Sequence, residues 1–180
     1  MIIPDFKGGE GGKLIFADAS VNPDPLPEKL ADIAITTAET ARTLFGWEPR
    51  VAMLSFSTKG SAEHALILKV KMAEEIAKKK APELSLEGEL QADAALVLET
   101  AKKKMKDVGK VAGRANILIF PDLNSGNIAY KLVNILARAE ALGPILQGFN
   151  KPISDLSRGA KTEEIVKVIT LLAGWIKKTK

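Results

Sequence analysis

Ala115-Asn-Ile-Leu-Ile-Phe-Pro-Asp-Leu-Asn-Ser-Gly-Asn-Ile-Ala-Tyr-Lys131 changes hydrophobic rhythm partway along. Its first six residues contain an apolar run short enough for a strand buried on both faces. Pro121 cannot continue that strand, and Asn124 or Ser125 stands where a helix cap is expected, so a helix is predicted over residues 126–142. A buried strand passing through a polar turn into a helix is the repeating unit of an α/β sheet.

The unit recurs on both sides. Toward the N-terminus, Leu14-Ile-Phe-Ala17 reads as a strand, followed by a loop rich in Pro, Asp and Asn over residues 18–27. A helical period then starts at Leu26, with Leu30, Ile33, Ala34, Thr37, Ala41 and Leu44 on one face, and Gly46 closes it. Further strands are predicted at 51–56 and, by period-two alternation, at 84–90. Helices are predicted at 62–80, ended by Pro82, and at 92–105. A short apolar run at 144–147 precedes a last amphipathic helix over 162–178, with Ile165, Val168, Ile169 and Leu172 inward. Strands alternating with helices predict a mostly parallel sheet covered on both faces. Residues 1–12, with Lys7-Gly-Gly-Glu-Gly-Gly12, read as a flexible lead-in. They are not a dinucleotide fingerprint, because Leu14 stands where the third glycine belongs.

Composition narrows the chemistry. The chain has 180 residues, 46% hydrophobic and 27% charged, enough for one domain with a real core and too few for two. No stretch approaches the 18 or so apolar residues of a membrane helix, and no targeting segment is visible at the start, so a cytoplasmic location is expected. There is no cysteine, which removes disulfides, thiolate metal sites and cysteine nucleophiles, and His64 is the single histidine, so a zinc site with two or three imidazoles cannot be built. A net charge of +4 and an isoelectric point near 9.2 raise nucleic acid as a partner. The cations, however, come as short lysine clusters with only five arginines, and aromatics are 5%, which argues against it.

Three segments lie just past strand ends, where ligands bind in open α/β sheets. In Ser55-Phe-Ser-Thr-Lys-Gly-Ser61, the candidate binding residues are Ser57, Thr58, Lys59 and Ser61, ahead of a helix whose first amides could hold an anion. The plain alternative is that Ser61 caps that helix. In the opening stretch, Asn124, Asn127 and Lys131 cluster around Gly126, with Tyr130 near Asn127 on the helix face. In Asp155-Leu-Ser-Arg-Gly-Ala-Lys-Thr-Glu-Glu164, Arg158 beside Ser157 fits phosphate recognition through its planar fork. The helix dipole alone accounts for Glu163 and Glu164. His64 reads as a surface or interface residue.

These segments, together with Phe16-Ala-Asp-Ala-Ser-Val-Asn-Pro-Asp-Pro25, Gly88-Glu-Leu-Gln-Ala-Asp-Ala-Ala95 and Gly143-Pro-Ile-Leu-Gln-Gly148, resemble the phosphate acetyltransferase and phosphate butyryltransferase family in order. The Phe-Pro-Asp-Leu-Asn and Asp-Leu-Ser-Arg-Gly stretches favour the acetyl branch. The resemblance implies a three-layer αβα sandwich of the isocitrate/isopropylmalate dehydrogenase type. It also implies transfer of an acetyl group between coenzyme A and phosphate, without metal or tightly bound cofactor. In that chemistry a carboxylate deprotonates the coenzyme A thiol and the thiolate attacks the carbonyl of acetyl phosphate. By motif position Ser157 would be the stabilising serine, Arg158 the phosphate-binding arginine, and Glu164 would stand where the family has an aspartate.

The resemblance covers the family's second domain, residues 13–153, and the C-terminal segment, 154–180, that normally returns to a first domain. That first domain has no counterpart in the sequence. The expectations are therefore a homodimer, a possible separate chain supplying the other half, and reduced or absent activity of this half alone. The alternative is a non-catalytic dimerisation or ligand-binding module, related to the domain appended to malic enzymes.

Overall fold

The computed structural model describes residues 1–156 and 158–178. Four parallel strands form the sheet: β1 (Ile15–Ala17), β2 (Val51–Leu54), β3 (Leu86–Leu90) and β4 (Ile117–Ile119), in the order β1-β4-β2-β3. The register sets Ile15 and Val51 on either side of Ile117, and Val51 beside Leu86.

Every residue of β2 and β4 is buried, because both faces are covered. One face presents Val51, Met53, Ile117 and Ile119 to α1 (Pro27–Thr40) and α2 (Ala65–Lys80). Ala31, Ala34 and Ala38 on α1 meet Val70, Ala73 and Ala77 on α2, and these small side chains let the helices lie close. The other face presents Ala52, Leu54 and Leu118 to Ala95, Ala101 and Val111. Ala95 belongs to α3 (Ala92–Leu96) and Ala101 to α4 (Leu98–Lys104). The α/β class with a mostly parallel sheet and helices on both faces is as expected from the sequence.

Local chemistry moved several boundaries. Pro27 occupies the first turn of α1, where its missing N–H costs nothing, and a π-helical turn over Ala41–Phe45 extends that helix to Gly46, left-handed at φ 69°. The cap of α2 is His64, not Ser61: its Nδ1 accepts the Leu66 amide at 3.1 Å. The helix predicted over 92–105 is two short helices, broken where Val97 adopts extended backbone. The last sheet helix, α5, runs over Leu123–Leu136 and not 126–142. Asp122, rather than Asn124 or Ser125, caps it by accepting the Ser125 amide at 2.8 Å, and Asn134 in its last turn donates through Nδ2 to the carbonyl of Ala139, beyond the helix end, at 2.6 Å. β5 (Ile145–Leu146) pairs antiparallel with β6 (Ile153–Ser154), a strand the sequence did not reveal, and α6 (Thr162–Lys178) ends the described chain.

Residues 1–12 are folded against the domain, not loose as their glycines suggest. Ile2 bridges to Lys13 and Glu140, and the Ile3 amide donates to Gly12. Glu10 supplies the tie: one carboxylate oxygen accepts from Arg50 at 2.7 Å and from Asn116, a fully buried amide at the start of β4, at 2.8 Å.

Candidate functional site

Parallel strands deliver all four of their C-terminal ends to one edge. The loop after β1 leads to α1 on one face, while the turn after β4 leads to α5, whose Ala129 packs with Phe16 and Phe120 on the other. Neighbouring strands whose connections diverge in this way leave a crevice between them. A cavity of about 990 Å³ opens there. Asp18 and Asn22 line it from the β1–α1 loop, Tyr130 and Lys131 from α5, and Leu156 and Glu164 from the C-terminal segment.

Asp18 organises the first wall. Its carboxylate accepts the amides of Ser20, Val21 and Asn22 at 2.7, 3.0 and 2.8 Å, and the Asn22 side chain at 2.6 Å. Burial is the largest single influence and pushes this carboxyl up, but the hydrogen bonds together outweigh it and hold the group below its ordinary value. Gly126 brings α5 against the same loop: a Cβ there would collide with the Asp18 carbonyl oxygen and lie 3.3 Å from Ala19 Cα. Asn127 completes the junction by donating to the Ala19 carbonyl at 3.1 Å. Sequence reasoning passed over Asp18, although an aspartate just past an apolar strand, followed by Ser and Asn, is an Asx-turn signal. Asn124 is exposed at the start of α5, and the Lys131 ammonium lies 5.9 Å from the centre of the Tyr130 ring.

The loop after β2 stands apart from the cavity wall. Ser57 and Thr58 are buried, and their hydroxyls donate to Glu89 at 2.9 Å and Gln91 at 3.2 Å. Lys59 is tied to the Gly88 carbonyl and to Glu74. Glu89, which no spacing argument singled out, is 1% exposed. Burial pushes its carboxyl up most, yet the Gly60 amide, its own backbone, the Ser57 hydroxyl and the charge of Lys71 bring it below the ordinary range. Among the described residues no cluster of three or more acidic or histidine side chains is arranged to hold a metal ion.

The sequence pattern of the phosphate acetyl/butyryl transferase family matches residues 1–173. The chain belongs to this family. A phosphate acetyltransferase of Clostridium acetobutylicum is 59% identical over 171 residues, covering 95% of this chain and 51% of that protein. Another, from Thermoanaerobacterium thermosaccharolyticum, is 57% identical over 96% of this chain and 52% of its own length. The crystal structure of a phosphotransacetylase from Streptococcus pyogenes matches with a TM-score of 0.84 at 52% identity, over 90% of this chain and 49% of that one. The chain thus spans about half the length of these relatives, and its fold is the one phosphotransacetylases share.

Of the three residues put forward by likeness to the phosphate acetyl/butyryl transferases, Ser157 lies outside the described residues. Arg158 is exposed in the turn before α6, and among the described residues its guanidinium makes no hydrogen bond or ion pair. Glu164 lines the cavity while its Oε2 accepts the Lys161 amide at 3.0 Å. That contact is the return half of a capping box, a glutamate in the first helical turn reaching back to the residue before the helix.

Proposed function

We propose that this chain is the second half of a phosphate acetyltransferase and contributes one wall of a site that moves an acetyl group between coenzyme A and inorganic phosphate. The observation that carries the reading is the cavity where Asp18, Lys131 and Glu164 converge at the strand ends of a domain with this family membership. In this scheme Glu164 takes the thiol proton, Ser157 and Arg158 stabilise and bind the phosphate end, and Lys131, which lines the same cavity as Glu164, adds positive charge. No metal or tightly bound cofactor enters this scheme. Its substrates place it in the cytoplasm, and no helix among the described residues is long and apolar enough to cross a membrane.

The reading includes a homodimer. Ile128, Leu132, Ile135 and Leu136 form a stripe along α5 and are 50–77% exposed, an apolar helix face of the kind that drives association. A separate chain carrying the other half of the relatives' length would supply the remaining cations of the site.

The test is acetyl-CoA formation from acetyl phosphate and coenzyme A, with the chain alone and with the separately expressed N-terminal half of a relative. Activity only in the mixture is the expected result. If the mixture is inactive while the relative's own two halves recombine to an active enzyme, the chain is not a catalytic half. The assembly module related to the malic enzyme domain then takes its place.

A further inference from the structure

Gln147 lines the cavity but takes no part in the proposed chemistry. Its partners are two threonines on the inward face of α1, Thr37 and Thr40, buried there among Leu30, Ala31, Ala34 and Ala38. The Thr37 hydroxyl donates to Gln147 Oε1 at 3.2 Å, and Gln147 Nε2 donates to the Thr40 hydroxyl at 3.1 Å. Counting hydrogens gives this clasp one direction. The single hydroxyl hydrogen of Thr40 goes back to the Thr36 carbonyl at 2.9 Å, so its oxygen only accepts and the amide nitrogen faces it. The amide oxygen is then left for Thr37, whose hydrogen leaves the helix to reach a side chain 110 positions along the chain.

The clasp matters because of where its ribbon leads. β5 and β6 form a two-stranded ribbon, closed by Ser154 Oγ donating to the Pro144 carbonyl at 2.6 Å, and two strands alone are barely stable without outside support. Ile145 and Leu146 are half-buried, but apolar contact is non-directional and fixes no position along α1. Among the described residues, the hydrogen bonds that join residues 144–154 to the sheet or its covering helices are the two made by Gln147. From Ser154 the chain runs four residues to Arg158, and Leu156 and Gly159 on either side of that arginine line the cavity. We propose that Gln147 is a positioning residue for phosphate: by clasping Thr37 and Thr40 it fixes the β5–β6 ribbon along α1, and so the place at which Arg158 meets the anion. The inference rests on Arg158 binding phosphate, as in the proposed function, and adds the side chain through which α1 controls it. Without the clasp, phosphate has to order the loop itself, and its affinity falls by the fraction of time the loop is in place.

The experiment titrates the labelled chain with inorganic phosphate and follows the backbone amide signals of Arg158, Gly159 and Ala160. Gln147→Met, nearly the same length without polar atoms, removes the clasp from the ribbon side, and Thr37→Val removes it from the helix side. Each should weaken phosphate about ten-fold, the scale of one or two neutral hydrogen bonds. Thr37→Ser, which loosens packing but keeps the hydroxyl, should bind phosphate as wild type does, and Gln147→Met should add nothing to the loss caused by Arg158→Ala. In the enzyme complemented with the relative's N-terminal half, both clasp variants should raise the KM for phosphate with kcat little changed. Unchanged phosphate affinity in either clasp variant overturns the proposal, as does equal weakening by Thr37→Ser, a further loss on top of Arg158→Ala, or a fall in kcat with KM unmoved. Wild-type signals that phosphate does not shift also overturn it, and leave acetyl transfer to its own assay. Phosphate binding that weakens with the clasp in a chain whose complemented mixture is inactive supports the proposal and strikes the transferase reading alone.

Discussion

Glu164 Oε2 accepts the backbone amide of Lys161 at 3.0 Å, so the side chain proposed as the base also closes the first turn of α6. The two roles respond differently to one substitution. Glutamine completes a capping box nearly as well as glutamate but cannot take a proton. Glu164→Gln should therefore keep the thermal stability of the chain while lowering the activity of the complemented enzyme at least ~100-fold, the lower end of what a positioned base contributes. Full activity in the glutamine variant would leave Glu164 with the helix cap alone.

Arg158, exposed and unpaired among the described residues, is the cation to test for phosphate. A ligand that binds only the native state raises the melting temperature by mass action. Phosphate at millimolar concentration should raise it in wild type and not in Arg158→Ala. An equal rise in both proteins would move the anion to Lys131 or another cation.

The close approach of α5 to the β1–α1 loop depends on Gly126. Alanine there must displace the Asp18 carbonyl or the helix, and overpacking of this kind costs about 1–3 kcal/mol. Urea denaturation of Gly126→Ala should show a loss in that range, together with loss of the Asp18 loop's amide protection. Unchanged stability would mean the junction is loose.

Asp18 and Glu89 both sit below their ordinary pKa, so both stabilise the fold while ionised. Their contribution is complete above the unfolded values, near pH 4 for carboxylates, and is lost as pH falls through the lower folded values. Stability measured by denaturant titration should ease downward as the Met1 amine, whose pKa burial lowers to about 6, gains its proton. It should fall further below pH 4, with a shallower acid fall in Asp18→Asn. An identical acid slope in that variant would remove Asp18 from the account.

The apolar stripe on α5 gives a fifth expectation. Light scattering should report about twice 19.3 kDa, and Ile135→Asp should return the monomer. A wild-type monomer at micromolar concentration would leave the stripe to some other partner.

Much of this was legible in the sequence because strand cores and helix faces repeat. Four strand runs, Gly46 as a helix stop and α6 as an amphipathic helix were legible, although β1 is only half-buried and Ile169, expected inward on α6, is 59% exposed while Val168 is buried. What periodicity missed was side-chain choice at polar positions. His64, Ser61 and Glu63 all precede α2, and only the fold showed that Ser61 was already committed to Thr58 and Ser57, leaving His64 to cap. Glu10 looked like part of a glycine spacer because its partners, Arg50 and Asn116, are remote in sequence. Glu89 looked like the polar half of an alternating strand, and its burial depends on a loop that strand alternation does not describe.

The strand order carries a consequence for how the chain comes together. Among the described residues β1 has β4 as its only sheet neighbour, and their residues pair across roughly a hundred positions of sequence, whereas α1, β2, α2 and β3 can assemble from nearby contacts. During synthesis the Leu14-Ile-Phe-Ala17 segment must therefore wait, unpaired and apolar, until the ribosome has passed Phe120. Sheet completion is a late event in the chain's life, and the interval before it is when this protein is most exposed to aggregation.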